Sequence, residues 1–159
     1  MSAVALNLVI AVIWLLLSRE PSTAVFVIGY VVGYGLIALF RSLVPGGPAY
    51  IRRSLALVRF AFFFAWQFLV ANFSVAGVVL LRPRDRLAPN YLTYDTSGLT
   101  PGEILLLCYC ITLTPGTVSI RVSEDLKTLV IHALDAADPA AIRASILRDL
   151  QQPIQAFTR

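Results

Sequence analysis

The stretch Ile111-Thr112-Leu113-Thr114-Pro115-Gly116-Thr117 decides how this chain folds. It ends an apolar run, Ile104 to Leu113, and opens an alternating one, Val118-Ser119-Ile120-Arg121-Val122. Pro115 pushes Thr114 out of the helical region, which predicts a helix stop. Pro115-Gly116 then joins a fixed φ to a free one, as a tight turn requires. The stretch is a helix-to-strand corner, and Thr112, Thr114 and Thr117 are expected to bond the backbone there. A phosphate loop is disfavoured. The stretch has one glycine and no lysine, and it follows a helix C-terminus, whose partial negative charge repels anions.

Working outward, Asn90-Tyr91-Leu92-Thr93-Tyr94-Asp95 alternates and reads as a short strand. Thr100-Pro101-Gly102-Glu103 is a helix start, with Thr100 at N-cap, Pro101 at N1 and Glu103 reaching back as a capping box. The helix it opens is apolar on every face and too short to span a bilayer. It is therefore buried in a small domain or pressed against a membrane. Thr117 to Val122 and Thr128 to Leu134 form a hairpin around Ser123 to Lys127. His132 shares a strand face with Val130 and Leu134, and no second histidine or carboxylate stands at metal-ligand spacing. Asp138-Pro139 caps a last helix with Ile142, Ile146, Leu150, Ile154 and Phe157 on one side and Pro153 positioned to bend it. The order is β-α-β-β-α, a small soluble α+β domain over 82–159.

Residues 1–81 differ in kind. Apolar segments run over 3–17, 24–40 and 54–81. The first two would reach about 22–26 Å as helices, slightly less than a hydrocarbon core of about 30 Å. The link Ser18 to Thr23 suits a hairpin. Gly29 and Gly33 in the second segment have small-xxx-small spacing, which favours close approach of a helix partner. After the breaker Pro45-Gly46-Gly47-Pro48, the third segment would reach about 42 Å, too long for an upright span. On a 100° wheel its Arg59, Gln67 and Ser74, with Arg52 just before it, fall in one sector of about 80°, so Arg59 and Gln67 are further candidates for partner contacts. The fold expected is a helical hairpin plus a long amphipathic or third membrane helix. Charge favours two spans, because Arg41, Arg52, Arg53 and the Arg82–Arg86 group then share the cytoplasmic side with the 82–159 domain. Hydropathy favours three.

Hydrophobic residues make up 58% of the 159 residues, and the mean hydropathy is +0.78. Both lie above the globular range and mark a membrane protein. The net charge of +4 belongs to residues 1–81, where five arginines face one glutamate, while 82–159 balances eight basic against eight acidic groups. The soluble part therefore has no electrostatic footprint for nucleic acid. Cys108 and Cys110 stand two apart in an apolar run and read as buried thiols, not a disulfide framework. Met1-Ser2-Ala3 lacks the basic n-region of a signal peptide, so the first segment is taken as retained. No cofactor motif, catalytic elbow or metal cluster is legible. Residues 1–81 contain no Asp, Lys or His, and Glu20 lies in the link. Ion pathways need ionisable groups at membrane depth, and Arg59 does not give up its proton.

The corner Ile111 to Thr117, followed by Val130-Ile131-His132-Ala133-Leu134, resembles the E-type subunits of the multi-subunit Mrp-type Na+/H+ antiporter family. Asn72-Phe73-Ser74-Val75-Ala76, running into Leu81-Arg82-Pro83, is similar to the same family. The resemblance implies an accessory subunit in a bacterial plasma membrane, partnered by other membrane subunits and lipid. In that family other chains carry the ions, and sodium or another monovalent cation leaves as protons enter. Relatives also occur in hydrogenase-linked assemblies, so a membrane-tethered regulatory or ligand-sensing module is the alternative. A stand-alone membrane enzyme would need His132 paired with Asp135 or Glu124 at hydrogen-bond distance.

Overall fold

The computed structural model describes residues 2–81 and 88–159. Arg82, Arg84 and Arg86, the far basic group of the topology argument, lie outside the described residues. The described elements are α1 (Ala3–Leu17), α2 (Thr23–Leu39), α3 (Gly47–Leu81), β1 (Asn90–Asp95), α4 (Pro101–Leu113), β2 (Thr117–Val122), β3 (Thr128–Ala133), α5 (Pro139–Ser145) and α6 (Gln152–Thr158). A π-helical stretch, Ile146–Gln151, joins α5 to α6. The chain is mostly helical with one small antiparallel sheet. It divides into two compact units, Met1–Leu55 and Ala56–Arg159, so the packing boundary falls inside α3. The composition boundary at residue 81 is a different criterion, the end of the apolar sequence.

In the first unit Ser2 and Ser22 cap α1 and α2 by accepting from Ala5 N–H and Val25 N–H, both at 3.3 Å. Gly29 and Gly33 lie against α1. A Cβ added at Gly29 would stand 2.7 Å from Trp14 Cβ, and one at Gly33 would collide with Asn7 Oδ1. Such contact lets two helix backbones approach closely. Asn7 is fully buried, and its Nδ2 donates to Tyr50 Oη at 2.8 Å. Tyr50 Oη also lies 2.9 Å from Tyr30 Oη, and its ring meets Tyr34 edge-on. A polar thread therefore ties α1, α2 and the start of α3.

α3 begins at Gly47, seven residues before the segment expected from Ser54. Proline lacks the N–H that a first helical turn leaves unused anyway, so Pro48 sits within that turn and the breaker becomes a start.

In the second unit the strand order is β1-β3-β2, with β3 central and antiparallel to both. A bulge at Ile120 shifts the β2 register between Ser119 and Arg121. Leu129, Ile131 and Ala133 of β3, with Leu92 and Tyr94 of β1, face the core against α4 and the last helices. Arg143 of α5 donates from Nε to Thr93 O at 2.8 Å, covering the β1 edge. The π-helical stretch ends just before Pro153, where widening relieves the clash of the proline ring with the carbonyl of residue 149.

Gly33→Ala should destabilise the hairpin by about 1–3 kcal/mol, because the new methyl collides with a buried, bonded Asn7. Gly35→Ala, with nothing within 4 Å of its added Cβ, is the control and should be neutral or stabilising. Thermal unfolding of both variants in detergent, followed by helical circular dichroism, measures the difference.

Candidate functional site

The corner is held by its threonines. α4 ends at Leu113, and Thr114 Oγ1 donates to Cys110 O at 2.8 Å. Thr117 Oγ1 donates to Ile111 O at 2.8 Å and lies 3.1 Å from Thr114 O. Thr112 Oγ1 accepts from Ser119 N–H at 3.3 Å. Thr117 N–H closes the turn on Thr114 O at 3.2 Å, and Gly116 takes φ +92°. Proline second and a positive-φ glycine third is the pattern of a type II turn. Gly116 O then accepts from Leu134 N–H at 2.8 Å, which pins the corner to the end of β3. A left-handed residue with its carbonyl in use explains why the position needs glycine.

Thr114 and Thr117 also line a cavity of about 240 Å³ between the corner, α3 and the π-helical stretch. Phe63, Phe64 and Gln67 of α3 form one wall, and Ser145, Ile146 and Asp149 form another. The hydroxyl hydrogens of Thr114, Thr117 and Ser145 are committed to backbone carbonyls, so these groups offer acceptors only. Asp149 is forked onto Arg148 at 2.7 and 2.8 Å. Gln67 thus lies at a domain-facing wall, while Arg59 borders a separate cavity with Pro153 and Ala156.

His132 is half-buried on the sheet face away from the core, in register with Tyr91 and Val118. Its ring lies 5.0 Å from the Tyr91 ring, and its Nδ1 is buried without a hydrogen-bond partner. A catalytic dyad would bond that nitrogen to a carboxylate, so Nδ1 is not part of one. Cys110 is buried and Cys108 half-buried, both free thiols; burial pushes Cys110 up to about 11 and raises Cys108 as well. Such thiols are poor nucleophiles. Among the described residues, no three His, Cys, Asp or Glu side chains gather as a metal site would need.

Sequence reasoning missed the strongest polar centre. Glu103 completes the capping box with Thr100, as its spacing suggested, but it is also only 3% exposed. Its carboxylate accepts from Arg159 Nε at 3.0 Å and Nη2 at 2.9 Å, and from Thr158 Oγ1 at 2.6 Å. The Arg159 guanidinium, chiefly, holds the carboxyl down at about 2. Nothing in local spacing signals a partner 56 residues away.

These features define a helical protein with a small sheet, whose distinctive residues hold backbone and neighbouring helices. The chain belongs to the Na+/H+ ion antiporter subunit family, whose model matches residues 7–156. The E1-type Na(+)/H(+) antiporter subunit of Staphylococcus epidermidis strain ATCC 35984 is 34% identical over 130 residues, 82% of this chain and 80% of that one. The E-type Na(+)/H(+) antiporter subunit of Bacillus subtilis strain 168 is 31% identical over 156 residues, 98% of both chains. A solved chain of the membrane-bound sulfane sulfur reductase, an archaeal respiratory membrane complex, superimposes with a TM-score of 0.51 at 28% identity. That match covers 86% of this chain and 84% of the other.

Two outcomes follow from this geometry. Gly116→Val should cost about 1–3 kcal/mol, since valine is strained at positive φ; the level of folded chain in membranes and its unfolding temperature measure it. Glu103 is ionised more readily when folded than at its ordinary value of 4.5. Its contribution is therefore full above about pH 4.5 and fades as pH falls toward 2. Glu103→Gln should lower stability by about 1.5–3 kcal/mol at neutral pH and flatten that acid limb of the unfolding curve.

Proposed function

We propose that this chain is an accessory, non-conducting subunit of a multi-subunit monovalent cation/proton antiporter. It supports assembly of the complex and is not an enzyme. Family membership supplies the antiporter, and the relatives are named for sodium and protons. The accessory role rests on one observation: the membrane-type helices α1 and α2 carry no ionisable carboxylate, lysine or histidine, and Arg59 is the only charge inside the apolar run of α3. A proton or sodium path needs groups that titrate or coordinate at depth.

In this reading α1 and α2 are the hairpin that crosses the membrane, 1–81 is the membrane-associated part, and the α+β domain over 82–159 lies on the cytoplasmic side, where the arginine excess directs it. The corner Ile111 to Thr117 is a structural joint, and His132 has a packing role on the outer sheet face. Gln67 serves the α+β domain, and Arg59, exposed, is left for a contact outside it, with lipid or a neighbouring subunit. The similarity to a chain of a respiratory membrane complex favours a second reading, the same module in a different assembly. Purifying the tagged chain in mild detergent and identifying what accompanies it separates the two.

Arg59→Gln should reduce antiport in vesicles only in proportion to the complex recovered, and His132→Ala should behave likewise or be silent. Activity divided by assembled complex is the measurement. A normal amount of complex with abolished transport in Arg59→Gln would place this chain in the ion path.

A further inference from the structure

α3 has two unlike faces within the second unit. Phe60, 8% exposed, packs on Phe157 of α6 with ring centroids 5.5 Å apart. Phe64 packs on the same core, and half-buried Ala56, Gln67 and Ala71 border cavities on that side with α4 and the last helices. Recurrence at three and four residues commits one side of the helix to the α+β domain from 56 to 71. The opposite side is open: Phe62 is 76% exposed, Trp66 66%, Leu69 52% and Phe73 78%. Their spacing of four, three and four keeps them on one stripe.

A domain wall and an upright span cannot occupy the same residues. The domain-facing run covers about 24 Å of helix, and Gly47–Leu55 before it covers only about 13 Å, against a core of about 30 Å. The domain carries the Glu103–Arg159 and Arg148–Asp149 ion pairs, the latter with Arg148 72% exposed, and such groups do not belong in hydrocarbon. Residues Gly47–Gly77 are apolar and long enough to cross a membrane, and little of that stretch is fully buried, but Phe60 and Phe64 already belong to the core of the α+β domain. One arrangement satisfies both faces: the helix lies along the bilayer surface, with its domain toward water and its aromatic stripe toward lipid.

Charge fits this arrangement. Arg52 and Arg59 are exposed and seven residues apart. On the wheel they stand at the border between the aromatic stripe and the domain-facing side, where long basic side chains reach phosphates. With five arginines and one glutamate in residues 1–81, this half complements an anionic leaflet.

We propose that α3 is an in-plane membrane helix. Phe62, Trp66, Leu69 and Phe73 enter the headgroup–acyl boundary, and Arg52 and Arg59 engage anionic lipid phosphates. The proposal rests on the membrane-subunit reading above and adds what α3 does there.

The test places the only tryptophan at successive positions of the full chain in phosphatidylcholine/phosphatidylglycerol vesicles. Trp14→Phe leaves Trp66; adding Trp66→Phe with Phe62→Trp or with Phe73→Trp moves the probe. Acyl chains brominated at shallow or deep carbons then quench according to depth. All three probes should be quenched most by the shallow label, with depths agreeing within about 4 Å. A spanning helix would separate positions 62 and 73 by about 16 Å, and that result overturns the proposal. In the reconstituted complex, loss of quenching at all three positions overturns it too, by putting another protein on the stripe. If the Trp14→Phe chain does not insert, Phe62→Cys and Phe73→Cys, with Cys108 and Cys110 changed to serine, report the same depths through nitroxide labels. Co-purification is scored separately. A chain lacking antiporter partners but showing equal shallow depths loses the functional reading and keeps this one.

Discussion

The buried carboxylate of Glu103 is the interaction on which the α+β domain depends. It caps the N-terminus of α4 through Thr100 and holds Thr158 and Arg159 at the far end of α6. A carboxylate this deep is costly unless every lone pair is used, and here charged and neutral donors surround it. Fixing the end of α6 fixes Ile154 and Phe157, and Phe157 is the residue against which Phe60 of α3 packs. One ion pair thus sets the wall along which α3 runs.

The hairpin unit solves a different problem. Its outer surface is apolar, with Leu16, Val31 and Leu39 more than half exposed, so in a lipid surrounding no hydrophobic gain would drive α1 onto α2. Close backbone contact at Gly29 and Gly33, with the Asn7–Tyr50–Tyr30 thread, supplies specificity instead. Asn7 Oδ1 is buried with no hydrogen-bond partner and lies over Gly33, where only a hydrogen atom can fit. Such devices fix the shape of a hairpin without relying on hydrophobic collapse.

How readable the sequence was depended on the range of the forces involved. The capping box at Thr100 and Glu103, the Asp138 cap and the turn at Pro115-Gly116 were legible because each joins residues only two or three apart. The start of α3 was misjudged because Pro48 looks the same whether it breaks a helix or occupies its first turn. α4 was legible as apolar on all faces, but not which side would be used: Ile104, Leu107 and Ile111 are buried while Leu105, Tyr109 and Leu113 are exposed.

The sequence by itself determined the division into an apolar, arginine-bearing half and a charge-balanced half, the family, and the local corners, because composition and short-range stereochemistry need no partner. Only the tertiary structure decided that Glu103 meets Arg159, that Asn7 meets Tyr50 across 43 residues, and which side of α3 faces Phe157. Those choices depend on which surfaces exclude water and each other's volume. A helical wheel displays every face of α3 equally, and only packing removes one of them from consideration.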